Sequence, residues 1–151
     1  MQVVDTDAFE WLPTNPPFRL RRLPGVTLAD ITATLDDHLS CVVAGSLFPW
    51  GLSLMPRFAL VILLVTARRI RLDRLRLRQV LDFGARVQPG GDMYESHKQF
   101  LKRAANYELN PATLRSLARD ERLLQTIPGK TLWLDGAAPL GALCAKVVKT
   151  L

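Results

Sequence analysis

The sequence predicts a mainly α protein, a compact multi-helix domain with one short strand or wing near Thr131–Leu134. Apolar side chains recur three and four residues apart in several stretches, the spacing of a buried helix face. Thr27, Asp92 and Asn110–Pro111 are residue types suited to helix starts, and each stands just before such a stretch. A hydrophobic content of 48% over 151 residues suffices for one domain with a core.

Charge is distributed unevenly. The total of +6 arises from three arginines against six acids up to Pro56, eight arginines against two acids over Arg57–Val87, and nine basic against six acidic residues thereafter. Fifteen of the 20 basic residues are arginine, the side chain whose planar fork matches phosphate and carboxylate. An anionic partner is therefore expected.

Residues 1–26 hold Pro13, Pro16, Pro17 and Pro24 around Arg19, Arg21 and Arg22, and predict a Pro-rich N-terminal arm ahead of a single helical domain over 27–151. The acidic start MQVVDTDAFEW lacks a basic segment followed by an apolar run, and two cysteines are too few for a disulfide framework, so a cytoplasmic protein is expected. The apolar window Leu47–Val65 contains Pro49, Pro56 and Arg57, and its unbroken part, Phe58–Val65, is far short of the ~20 residues that span a bilayer. No transmembrane segment is expected.

In order, Thr27 to about Ala44 predicts a first helix with Thr27 as N-cap and Leu28, Ile31, Leu35, Leu39 and Val42 on one side. His38 and Cys41 share its face, but His97 and Cys144 are the other soft ligands and neither has a second ligand nearby, so no metal and no cofactor is expected. Gly45–Pro56 reads as a buried connection. Arg57 to about Arg69, apolar nearly all round, predicts a central buried helix. Ile70–Val87 predicts a break near Leu72 with Asp73 as N-cap, then a helix with Leu75, Leu77, Val80 and Leu81 inward and Arg71, Arg74, Arg76 and Arg78 outward. After the break Gln88–Asp92, a helix Met93–Tyr107 carries the stripe Met93, His97, Phe100, Ala104, Tyr107, with Lys102 and Arg103 off it.

Phe100–Arg119, FLKRAANYELNPATLRSLAR, lays onto two helices joined by a tight turn. Ala104 takes the close-packed position, Tyr107, Leu109, Leu114 and Leu117 the apolar ones, and Asn110–Pro111 start the second helix. The run Ala-x-x-Tyr-x-Leu-Asn-Pro-Ala-Thr-Leu resembles the helix-turn-helix DNA-binding superfamily over these 20 residues, with Glu108 where the turn glycine usually stands. That resemblance implies a recognition helix from Pro111 presenting Asn110, Thr113, Arg115, Ser116, Arg119 and Arg122 to duplex DNA, with Lys102, Arg103 and the Arg71–Arg78 cluster on phosphates.

Ile127–Thr131 would need a glycine at position 124, where Leu124 stands, and a strand-to-helix context to form a phosphate loop, while Thr131–Gly136 reads as strand and turn. Pro139–Leu151 closes the chain as a helix whose stripe Leu140, Leu143, Cys144, Val147, Val148, Leu151 suits docking or pairing. No nucleophile–base or paired-carboxylate pattern stands out, so a non-enzyme is expected. The expected function is nucleic-acid binding, as a DNA-binding transcriptional regulator or regulator subunit that forms a homo- or hetero-oligomer. The alternative is a helical adaptor or assembly subunit meeting an acidic protein surface.

Overall fold

The computed structural model describes residues 1–151 and divides them into two units, Met1–Arg57 and Phe58–Leu151. Helix accounts for 51% of the chain and strand for 15%, the strands forming two small parallel sheets, so the class is mixed α/β and the mainly α expectation is corrected. The cause lies in two short apolar runs, CVVA and LVILLV. Both are rich in aliphatic residues, too short for an ordinary helix, and apolar without helical spacing, as strands of parallel sheets are.

In the first unit, β1 (Gln2–Asp5) pairs in parallel with β2 (Cys41–Ala44), in register from Gln2↔Cys41 to Asp5↔Ala44. A parallel pair requires a crossover, and this one holds α1 (Thr6–Glu10) and α2 (Pro24–Asp36). Asp5 caps α1 by accepting the Asp7 N–H at 3.0 Å. Val4, Ile31, Leu47 and Leu54 are the buried apolar side chains, and two buried hydroxyls are satisfied beside them. Thr27 donates to the Phe9 carbonyl at 3.3 Å, and Thr6 accepts the Ser46 N–H at 3.1 Å. Gly45, at φ +124°, is a position for glycine on two counts, because a Cβ there would also run into Thr6 Oγ1.

Of the expected arm over 1–26, residues 2–10 form β1 and α1 and Pro24 opens α2, while its Pro-rich stretch 12–20 is irregular; the compact units of the fold are 1–57 and 58–151. The first long helix starts at Pro24, where the missing N–H costs nothing, which puts Thr27 inside its first turn, not at its cap. It stops at Asp36 because the β-branched pair Val42–Val43 is taken by β2.

In the second unit β3 (Leu60–Val65) pairs in parallel with β4 (Lys130–Asp135), from Leu60↔Lys130 to Val65↔Asp135. The expected central helix over Arg57–Arg69 is therefore replaced by β3 and a turn, while the strand expected over Thr131–Leu134 lies inside β4. Between them run α3 (Arg68–Phe83), a 3-10 turn (Gly84–Val87), α4 (Tyr94–Ala105) and α5 (Leu117–Thr126); α6 (Leu140–Thr150) follows β4. The break expected near Leu72 is absent: α3 is continuous, and Asp73 pairs with Arg76 at 3.1 Å instead of capping. Starting three residues after β3 sets the phase of α3 so that Ile70, Leu72, Leu75 and Phe83 are half-buried, whereas Leu77, Val80 and Leu81 face solvent. Asp92 likewise does not cap α4 but holds Arg86 through two bonds of 2.9 and 2.7 Å. Val87, Met93, Ile127 and Leu134 form the buried apolar set. On α6, Leu143 and Val147 are half-buried while Leu140, Cys144, Val148 and Leu151 are exposed. No helix is long and apolar enough to cross a membrane.

Leu134 is 5% exposed and Leu77 61%, which gives a direct check on strand and helix phase. Leu134→Ala is expected to lower unfolding stability by about 2–5 kcal/mol and Leu77→Ala by no more than about 0.5 kcal/mol in urea titrations. Equal losses would contradict the packing of β4.

Candidate anion site at the carboxyl edge of the second sheet

The carboxyl ends of β3 and β4 lie side by side, and the chain continues past both in contact. The Gly136 N–H donates to the Val65 carbonyl at 2.7 Å. Gly136 is buried, and a Cβ on it would collide with Thr66 Oγ1 and crowd Leu64, so glycine lets the two loops close together. From Thr66 the chain turns directly into α3, whose first turn has no side-chain cap.

Arginines of α3 gather over this edge. Arg74 Nη1 donates to the Gly136 carbonyl at 2.6 Å. Arg71 spreads its fork over three elements: Nη1 donates to the Thr66 carbonyl at 2.7 Å, Nη2 to the Ala104 carbonyl at 3.0 Å, and both to the Glu108 carboxylate at 2.6 and 2.8 Å. Its guanidinium also lies over the Tyr107 ring, 5.3 Å from the centroid. Its Nε is buried without a partner. Arg68 is close enough to act on Glu108, so two arginines face this carboxylate. The two hydrogen bonds from Arg71 hold the Glu108 carboxyl below the usual carboxylate range, against the opposing effect of its partial burial.

Glu108 belongs to the eleven residues between α4 and α5. This segment is much longer than the turn of a helix-turn-helix, and the second helix begins at Leu117, not at Pro111. Ser116 decides that start: its hydroxyl accepts the Arg119 N–H at 3.2 Å while donating to main-chain carbonyls of the segment. Asn110, placed as the expected cap, instead donates its side-chain amide to the Arg115 carbonyl at 3.0 Å. Glu108 is not left-handed, since Phe18 is the one non-glycine residue with positive φ.

The residues predicted to meet nucleic acid fall into three groups. Ser116 is fully buried, Arg119 is largely buried against Asp120 at 2.9 Å, and Arg71 is committed to Glu108, so none of these three is presented outward. Arg74 and Arg76 are exposed residues with a guanidinium bonded within the fold, to Gly136 and Asp73. Arg78, Lys102, Arg103, Thr113, Arg115 and Arg122 are exposed, and Asn110 is half-buried. The structure thus brings together Arg68, Arg71 and Arg74 instead of a row on one recognition helix.

Neighbouring groups complete the electrostatics. The Tyr107 hydroxyl donates to Asp120 Oδ2 at 2.8 Å, and burial together with that carboxylate pushes the phenol well above its ordinary pKa. His97 on α4 is held below its usual pKa by burial and then by Arg76, and its Nδ1 has no partner. No group of three or more metal-ligating side chains forms a site. Thr66, Gly136, Arg68, Tyr107 and Glu108 were not singled out as site residues from sequence. Arg71 and Glu108 stand 37 residues apart, and no local pattern links them.

No family model matches the chain, and no solved structure does. Over 133 residues the chain is 33% identical to a protein of Bacillus subtilis (strain 168), "Uncharacterized protein YqaC", a match covering 87% of this chain and 72% of that one.

A carboxyl with a depressed pKa stabilises the fold fully above its unfolded pKa, and that contribution is lost as pH falls through the folded value. Wild type is therefore expected to lose thermal stability on acidification below the ordinary carboxylate range, with Glu108→Gln less stable at neutral pH and less acid-sensitive. Melting curves at neutral pH and at roughly pH 3 check this. Parallel acid limbs for the two proteins would remove Glu108 from the account.

Proposed function

We propose that this chain, which belongs to the same family as Bacillus subtilis YqaC, binds phosphate-bearing ligands, nucleic acid among them, at the carboxyl edge of the β3–β4 sheet. The observation that carries the reading is the gathering of Arg68, Arg71 and Arg74 on that edge, where Arg71 and Arg68 act on the Glu108 carboxylate and Arg74 holds the Gly136 carbonyl. In open parallel α/β sheets ligands settle outside the carboxyl ends of the strands, where loops and helix starts converge. The uncapped first turn of α3 adds free N–H groups and the positive end of a 16-residue helix to the arginines.

Charge supports the same reading at longer range. The second unit carries 16 basic against eight acidic residues, and the first four against six. A net +8 on 94 residues raises the local concentration of polyanions and speeds their encounter. Exposed Arg78, Lys102, Arg103, Arg115 and Arg122 are available for backbone phosphates, which position a nucleic acid without reading its sequence. Base reading by a helix from Pro111 is not part of the proposal, since that helix begins at Leu117. Free Cys41 and Cys144 accord with a cytoplasmic setting.

A second reading, an assembly subunit docked on an acidic protein, draws support from Leu77, Val80 and Leu81, exposed on α3 among Arg74, Arg76 and Arg78. Apolar side chains ringed by arginine are a common composition for a protein interface, and that reading includes an oligomer.

Random duplex DNA and inorganic pyrophosphate, titrated across a salt series, separate these possibilities. The expected result is binding of both, with log affinity for DNA falling linearly in log salt. In Arg68→Ser that slope is expected to be shallower by about one for each phosphate the protein no longer engages. Folded protein that binds neither at low salt would sink the phosphate reading and leave the acidic-protein one.

A further inference from the structure

We propose that Glu108 is a built-in competitor for the phosphate site: its carboxylate occupies the Arg71 fork in the position a ligand phosphate would take, and ligand entry displaces it together with the segment 106–115, while the buried Ser116 stays at the start of α5. The inference rests on the phosphate-binding reading above and adds to it a gate. Both Glu108 oxygens are taken up by the two terminal nitrogens of Arg71, at 2.6 and 2.8 Å. This parallel two-bond geometry is the one by which arginine also holds phosphate. A planar fork already aimed, with carbonyls of Thr66 and Ala104 fixing its orientation, needs only an exchange of anions to accept a ligand.

The segment bearing Glu108 is built to leave as a piece. Its other hydrogen bonds run within itself or to the adjoining ends of α4 and α5. Asn110 meets Asn106 and Arg115, Leu114 meets Pro111, Ser116 meets Pro111 and Leu114, and Tyr107 meets Leu117 and Asp120. What ties it to α3 is Arg71, through Glu108 and the Tyr107 ring. It presents Leu109 and Leu114 to solvent at 74% and 56% exposure, so these two side chains give up little packing when it moves. Exchange is also favoured electrostatically, because a phosphate group brings more negative charge to Arg68, Arg71 and Arg74 than one carboxylate does.

Glu108→Gln removes the competing charge with little change in size. Calorimetric titration with inorganic pyrophosphate is expected to show the variant binding about tenfold more tightly than wild type, the equivalent of about 1.4 kcal/mol. Trypsin supplies an independent readout, since Arg115 lies in the segment and is exposed. Cleavage after Arg115 is expected to speed up in wild type when pyrophosphate is added, and to be fast in Glu108→Gln without it. Arg71→Lys keeps the charge but lacks the fork, and in that background the Glu108→Gln gain in affinity is expected to vanish. Wild type and Glu108→Gln binding with equal affinity, or a pyrophosphate-insensitive cut at Arg115, would overturn the gate while leaving the phosphate site in place. Absence of pyrophosphate binding by both proteins would overturn the site itself and the gate with it.

Discussion

Parallel pairing is the constraint from which the second unit follows. Two parallel strands cannot be joined by a tight turn, so the chain must leave the end of β3, cross over, and re-enter at the start of β4. Everything from Thr66 to Gly129 is that crossover, and it brings the exits of both strands to one edge. Thr66 and Gly136 touch there because the register ends with Val65 opposite Asp135. Had the strands been antiparallel, the loop after one would have met the loop before the other, and the α3 arginines would have had no shared edge to gather over.

Arg71 is where the crossover is fastened. One guanidinium reaches the exit of β3, the end of α4 and the segment beyond it, which ties three stretches of backbone to the first turn of α3. Such a partly buried cation is costly to desolvate, and carbonyl oxygens, a carboxylate and an aromatic face together offset that cost. Exposed pairs elsewhere, such as Lys98 with Glu95, contribute little by comparison. The difference matters for mechanism: a charge held in place by uncharged oxygens can change its anionic partner without losing its position.

Much of the helical content was legible in the sequence. The stripe Met93–Tyr107 corresponds to α4, and Pro139–Leu151 to α6, because their periodic runs are long and bounded by breakers. The strand Thr131–Leu134 was legible and lies in β4, but β2 and β3 were missed because CVVA and LVILLV show no alternation, and a parallel strand apolar on both faces looks like a piece of buried helix. The helix expected from Pro111 starts later, at Leu117, because Asn110–Pro111 are as well suited to a turn as to a helix start, and Ser116 offers a cap that is used. The basic character of Arg71–Arg78 could be read directly. Which of those arginines is internal could not, since Glu108 and Gly136 are distant in sequence and only the crossover brings them close.

The register of the second sheet also bears on how the chain is made. Leu60 pairs with Lys130, so 70 residues must be added after β3 begins before its partner does. At typical synthesis rates that interval is roughly 4–14 s, very long beside the microseconds in which local helices form. During it LVILLV has no strand to pair with, and such a stretch attracts chaperones or like segments on other nascent chains. Parallel topology therefore makes yield in the cell depend on protection of six residues during translation, a burden that the finished fold no longer displays.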